Sequence, residues 1–249
     1  MYFTRFPVNK TRRDARSMLA SPYRMHAALA GSFPSDGVQV PQADSGRVLW
    51  RVELEADGGV CLYIVSPTVP SLVGLDEQIG WPDMPHQWKT RDYEPFLAKI
   101  EVGQTFSFRL VANPSVSRRE IVGANGRSKR IGHLTVQQQM AWLVGKNAYA
   151  HDGDDDVPEL FKHQNRSRAE HNRFEILTNN DGLQLIVSNS QKQSFKHGKD
   201  GKTITLSTAR YDGVMRVTDA SALKQALIGG IGHAKGFGCG LLTIAPIAG

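Results

Sequence analysis

The sequence predicts an α+β fold of two tandem β-α-β-β-α-β units, residues 1–114 and 115–249. Three observations carry that expectation. Short alternating runs rich in β-branched and aromatic residues recur along the chain. Stretches with helical spacing separate them in the order β-α-β-β-(α)-β, the split βαβ or ferredoxin-like order. Asn113-Pro114 closes a strand and marks a division into two units of ordinary size.

Residues 2–8 (YFTRFPV) alternate as a first strand, and Thr11 to Ala30 reads as helix, restarted at Ser21-Pro22, a normal N-cap followed by N1. Arg47–Leu54 and Val60–Ser66 flank Glu55-Ala56-Asp57-Gly58-Gly59 and read as a hairpin. Ile79 to Pro95 gives only weak helix signals. Gln104–Ala112 (QTFSFRLVA) alternates as the strand that closes the first unit.

In the second half, Thr135–Tyr149 has helical spacing at Met140, Leu143 and Val144. Phe174–Ser188 and Ile204–Val217 read as strands, Ala220–Ile228 as helix and Leu241–Ala245 as the last strand. No close internal sequence repeat links the halves. Three cation-rich stretches, Arg118–Arg130, Lys162–Arg173 and Lys192–Lys202, read as polar loops.

Residues 1–114 hold 12 basic and 12 acidic residues, so the whole net charge of +6 falls in the second half. Such an excess attracts phosphate backbones, and three cationic loops in one half favour a polyanion surface more than one loop does. No run approaches the roughly 18 apolar residues of a membrane span, and no signal peptide opens the chain, so a soluble cytoplasmic protein is expected. Cys61 and Cys239 stand far apart and argue for neither a disulfide framework nor zinc.

Two clusters carry chemistry. In Ser21-Pro22-Tyr23-Arg24-Met25-His26, Tyr23 and His26 are three apart and share a helix face. That face lies roughly 110° from the Met25/Leu29 stripe, so the pair flanks the core contact. Histidine is the side chain whose unperturbed chemistry suits acid/base work near neutral pH; an ordinary half-exposed helix pair is the bland alternative. The second cluster, residues 229–240 (GGIGHAKGFGCG), crowds six glycines into twelve residues. Glycine at this density lets a backbone approach phosphate, with Lys235 adding charge; tight packing is the competing explanation. It matches neither a Walker A loop nor the dinucleotide fingerprint, so no nucleotide cofactor is expected. His151–Asp156 (HDGDDD) lacks the glycine and distal glutamate of an EF-hand and reads as a solvated acidic loop, so no metal is expected.

These pieces, in this order, resemble the CasE family of CRISPR-associated endoribonucleases: MYFTRF, SPYRMHAAL, GRVLWRVE, FRLVANP and GIGHAKGFGCGLLTIAP. The resemblance implies tandem ferredoxin-like domains, no metal or cofactor, and cleavage of the repeat hairpins of a precursor CRISPR RNA by attack of a ribose 2′-hydroxyl. It makes His26 the general acid/base and Tyr23 the residue that orients the 2′-hydroxyl. Gly230, Gly232, Lys235, Gly236 and Gly238 would hold backbone near the cut, while Arg127, Lys129, Arg130, Arg166 and Arg168 would grip the stem. Lys235, Arg24 and His233 are the candidates for stabilising transition-state charge. The resemblance also implies other subunits of a surveillance complex as partners. The rival reading is a non-catalytic RNA-binding module, which the missing RNP aromatic pattern disfavours.

Overall fold

A computed structural model describes residues 1–33, 47–84, 86–122, 128–145, 167–197 and 201–247. The first part consists of β1 (Tyr2–Val8), α1 (Arg13–Leu19), α2 (Pro22–Ala30), β2 (Leu49–Leu54), β3 (Val60–Ser66), α3 (Val73–Ile79), β4 (Lys89–Asp92) and α4 (Glu94–Ala98). Its strands form one antiparallel sheet in the order β2-β3-β1-β4. The alternation in β1 puts Thr4, Phe6 and Val8 inward, all buried. Phe6, Leu62 and Ile64 of the sheet meet Met25 and Leu29 of α2 in one apolar cluster. The helix breaks at Ser21-Pro22 as the sequence predicts: the Ser21 hydroxyl accepts the Arg24 N–H and Pro22 opens the new helix.

The second part runs through β5 (Thr105–Ala112), β6 (Ser115–Val122), β7 (Ser128–Gly132), α5 (Val136–Val144), α6 (Arg168–His171), β8 (Phe174–Ile176), β9 (Thr178–Asn179), β10 (Gly182–Leu183), β11 (Leu185–His197), β12 (Lys202–Val217), α7 (Ala220–Gly229) and β13 (Leu242–Pro246). Its main sheet has the order β11-β12-β5-β13, with β8 on the end of β12. Leaving out the inserted short strands, the two sheets share one connection order.

Three sequence expectations change. The strand 105–112 does not close the first sheet: as β5 it pairs with β12 and β13, so a division at residue 114 would cut the second sheet from its own first strand. The edge of the first sheet is instead β4, paired with β1. Two of the three polar stretches are β structure where they are described, with residues 118–122 and 128–130 in β6 and β7 and residues 192–197 and 202 in β11 and β12. The third includes α6, whose Ser167 and Glu170 form a reciprocal capping box.

A charged seam joins the sheets. Arg51 on β2 is 3% exposed, and its guanidinium donates to the carbonyls of Leu241 (2.9 Å) and Arg109 (3.2 Å), to Thr243 Oγ1 (2.9 Å) and to Glu53 Oε2 (2.8 Å). Glu53 also pairs with Arg109, which reaches Asp212 on β12.

On the same face of the first sheet, where Arg51, Tyr63 and Arg5 stand opposite one another across β2, β3 and β1, Arg5 and the Tyr63 hydroxyl donate to Glu55 and pull its carboxyl from 4.5 down to about 2. A depressed carboxylate stabilises the fold above its unfolded pKa, and the benefit is lost as pH falls through the folded value. Unfolding midpoints measured from pH 5 to pH 2 are therefore expected to fall more steeply for the parent than for Glu55→Gln. Parallel curves would show that Glu55 contributes nothing.

Candidate functional site

The site forms where α2 of the first sheet meets the loop preceding β13 of the second. Met25 and Leu29 are buried and fix the rotation of α2, which leaves Tyr23 half-buried and His26 exposed on the adjoining face. The loop turns back through a 3-10 turn, Lys235–Phe237, bracketed by Ala234 and Gly238 in the left-handed region (φ 60° and 81°). This turn packs against α2. The Phe237 ring presents an edge-on contact to the His26 imidazole, with centroids 6.1 Å apart. A Cβ on Gly236 would stand 3.5 Å from His26 Cε1, so the main chain itself lies at the imidazole.

The glycines divide by role. Gly232 and Gly238 have positive φ, and a Cβ would strike Trp142 at 2.9 Å and Trp50 at 2.8 Å; a Cβ on Gly230 would strike Leu49 at 2.8 Å. Packing thus gives these three a reason to be glycine, while Gly236 is the one set against the imidazole.

Around the turn three nitrogen groups are pushed toward their neutral forms. Burial first, then Arg47 and Arg168, push the Lys235 ammonium pKa down. Burial, then Arg130, Arg168 and Lys235, push the His233 imidazole down. Arg168, whose guanidinium lies 5.7 Å from the Trp142 ring centre, is also lowered by burial and by Arg130. Cations from β7, α6 and the segment before β2 therefore crowd the glycine-rich loop and disfavour the charged forms of Lys235 and His233. Such a group of charges is relieved by an anion.

Of the residues singled out from sequence, the structure sets His26 against Gly236, with Lys235 on the same turn and Tyr23 one turn earlier on α2, while Arg130 and Arg168 act on His233 of the same loop. Arg24 turns away and donates to Ser17 on α1. Lys129 pairs through its backbone with Arg118 in β6–β7. Arg127, Arg166 and the acidic loop 151–156 lie outside the described residues, among which no group of three His, Cys, Asp or Glu side chains is placed to hold a metal. Sequence reasoning missed Arg47 and Phe237. Phe237 did carry a signal, as the one aromatic inside the glycine cluster.

With this geometry in place, the relatives are informative. The chain is 26% identical over 251 residues to the CRISPR-associated endoribonuclease Cse3 of Thermus thermophilus, covering 99% of this chain and 100% of the relative. It is 28% identical over 240 residues to the Cascade subunit CasE of Escherichia coli K12, covering 94% and 96%. The solved structure of CRISPR endoribonuclease Cse3 bound to 19 nt RNA superposes with TM-score 0.71 at 25% identity, over 99% of this chain and 100% of that one. The family model described as CRISPR associated protein matches residues 1–246, and so the chain belongs to that CRISPR-associated family, as a CasE-type member.

Proposed function

We propose that this protein is a metal-independent endoribonuclease that cuts the repeat hairpins of a precursor CRISPR RNA, and that its two sheets are tandem ferredoxin-like domains. The observation that carries the reading is the exposed His26 imidazole set against the Gly236 main chain, on the loop where Arg47, Arg130 and Arg168 crowd Lys235 and His233. A ribose 2′-hydroxyl attacks the adjacent phosphorus, the P–O5′ bond breaks, and the products are a 2′,3′-cyclic phosphate and a 5′-hydroxyl. His26 moves one of the two protons, taking it from the 2′-oxygen or giving it to the departing 5′-oxygen, and water exchanges the other. Tyr23, one turn earlier on α2, orients the 2′-hydroxyl. Lys235 supplies the cation for the charge that develops on the phosphoryl oxygens, and the Gly236 backbone lets the strand come close.

The A-form stem is held through its phosphates by the cations of the second half. Removing Arg130 and Arg168 together (R130A, R168A) is expected to weaken hairpin binding and to flatten the slope of log K against log salt by about 1 for each phosphate that is no longer neutralised. An unchanged slope would take both residues out of the interface. By analogy with the Cascade subunit CasE, the protein then joins other subunits of a surveillance complex in the cytoplasm.

The test incubates the protein in excess EDTA with a labelled repeat hairpin and, in parallel, with the same RNA carrying one 2′-deoxy nucleotide at the cut. Cleavage of the first alone, ending in a cyclic phosphate, supports the reading. Tight binding of both without cleavage would replace it with a non-catalytic RNA-binding module.

A further inference from the structure

Cleavage as described above needs two groups that sit on different sheets: His26 rides on α2 of the first, and the Lys235–Phe237 turn is anchored on the second. Strand β2 spans the gap between them. Alternation sends Trp50 into the apolar cluster beneath α2, with Met25 and Leu29, while Leu49 and Arg51 face the second sheet. All three residues meet the glycine-rich loop. A Cβ on Gly230 would stand 2.8 Å from Leu49, a Cβ on Gly238 2.8 Å from Trp50, and Arg51 donates to the Leu241 carbonyl at 2.9 Å.

A hold on that loop at Leu241 is a hold on the turn, because the loop is closed just before it. The Ile231 N–H donates to the Gly240 carbonyl at 2.9 Å, and the Gly240 N–H donates to the Val111 carbonyl of β5 at 2.7 Å. A Cβ on Gly240 would lie 3.1 Å from Lys235 Cγ, so the Lys235 stem rests on this neck. The guanidinium that grips the neck is fully committed. Its Nε and Nη2 donate to Glu53 Oε2 (3.1 and 2.8 Å), Nη2 also to Thr243 Oγ1 (2.9 Å), and Nη1 to the carbonyls of Leu241 and Arg109 (2.9 and 3.2 Å), which places every N–H that an arginine has. A buried ion pair gains little stability over apolar groups of the same size, although breaking it from one side is costly. What a rigid fork of donors does supply is direction. A shift of the neck along β2 would carry Lys235 and Gly236 away from the imidazole.

We propose that Arg51 is a positioning residue for cleavage: by fixing the glycine-rich loop on β2, it sets Lys235 and the Gly236 main chain against His26. The inference rests on the ribonuclease reading and adds to it a buried residue that acts only through the loop it holds. Misplacing a charge-stabilising group by about 1 Å is enough to cost on the order of 10²-fold in rate.

The test uses the full-length protein in saturating excess over a labelled repeat hairpin, so that an unfolded fraction does not lower the single-turnover rate constant. Arg51→Met keeps the apolar stem and removes the donors. It is expected to slow cleavage by about 10- to 100-fold, with the dissociation constant of a hairpin carrying a 2′-deoxy nucleotide at the cut nearly unchanged. In a Lys235→Ala background the same substitution should cost far less, since both changes act through one turn. Glu53→Gln loosens the clamp on Arg51 without emptying the seam; it is expected to repeat the pattern with a smaller loss, and it carries the test where Arg51→Met does not fold. An undiminished rate constant for both variants would overturn the proposal. So would losses that are the same with and without Lys235, or an equal fall in affinity. Failure of the parent to cleave the unmodified repeat would remove the ribonuclease reading, and the positioning role with it.

Discussion

His26→Ala is expected to slow single-turnover cleavage of a repeat hairpin by about 10² to 10⁴, the range a positioned acid/base contributes, while the dissociation constant for the same RNA stays nearly constant. The structure separates the two quantities. His26 is exposed, and the burial that holds α2 belongs to Met25 and Leu29, so removing the imidazole leaves the helix and its N-cap in place. The cations proposed to meet phosphate, Arg130, Arg168 and Lys235, sit on other elements. A residue that acts on the transition state alone changes the rate without changing ground-state binding. Should affinity fall by the same factor as rate, His26 is a binding residue and the proton moves elsewhere. Tyr23→Phe is expected to cost less, because a phenol that orients is partly replaced by the geometry of the strand itself.

Arg51→Ala is expected to lower the unfolding free energy by about 3 to 5 kcal/mol, the cost of breaking a buried ion pair from one side. Its pKa is pushed down to about 10, first by burial and then by Arg109, so the side chain is still charged at neutral pH. Deleting it leaves Glu53 with Arg109 alone and strips the Leu241 carbonyl and the Thr243 hydroxyl of a donor in a place with little water. Urea unfolding of Arg51→Ala and of Arg51→Met checks the size of the effect. A loss below about 1 kcal/mol for both would mean that water or rearrangement replaces the guanidinium, and that the seam is held by apolar packing.

How far sequence alone reads this fold depends on whether the signal is local. The strands β1, β3 and β12 and the restart of the helix at Pro22 were legible because alternation, turn chemistry and capping act within a few residues. The membership of β5 was not, because its partners in β12 lie about a hundred residues away and nothing in TFSFRLVA states which sheet it joins. Edge strand β4 carries mostly exposed polar residues and so lacks alternation. Most of the β6–β7 hairpin and the distal part of β11 looked like loops because charged and small polar residues fill them, although β11 keeps a faint period of two at Gln193 and Phe195.

The site divides in the same way. Tyr23 and His26 were legible from helical spacing, and Lys235 and Gly236 from glycine density. Arg47 and the Arg51 seam were not, since an arginine in a strand looks the same whether it faces water or bridges two sheets. The glycine cluster also illustrates a mixture that sequence cannot separate: Gly230, Gly232 and Gly238 answer to neighbouring side chains, and Gly236 to the imidazole.

Because His26 rides on the first sheet and the Lys235–Phe237 turn is anchored on the second, neither half of the chain contains the site. The domain made first can fold on leaving the ribosome, but it carries an idle imidazole. On the proposed roles of His26 and Lys235, competence arrives only when residues 230–246 have been synthesised, β13 has closed on β5, and Arg51 has found Leu241. On that reading, a nascent chain that still lacks residues 230–246 is kept from cutting RNA by topology alone.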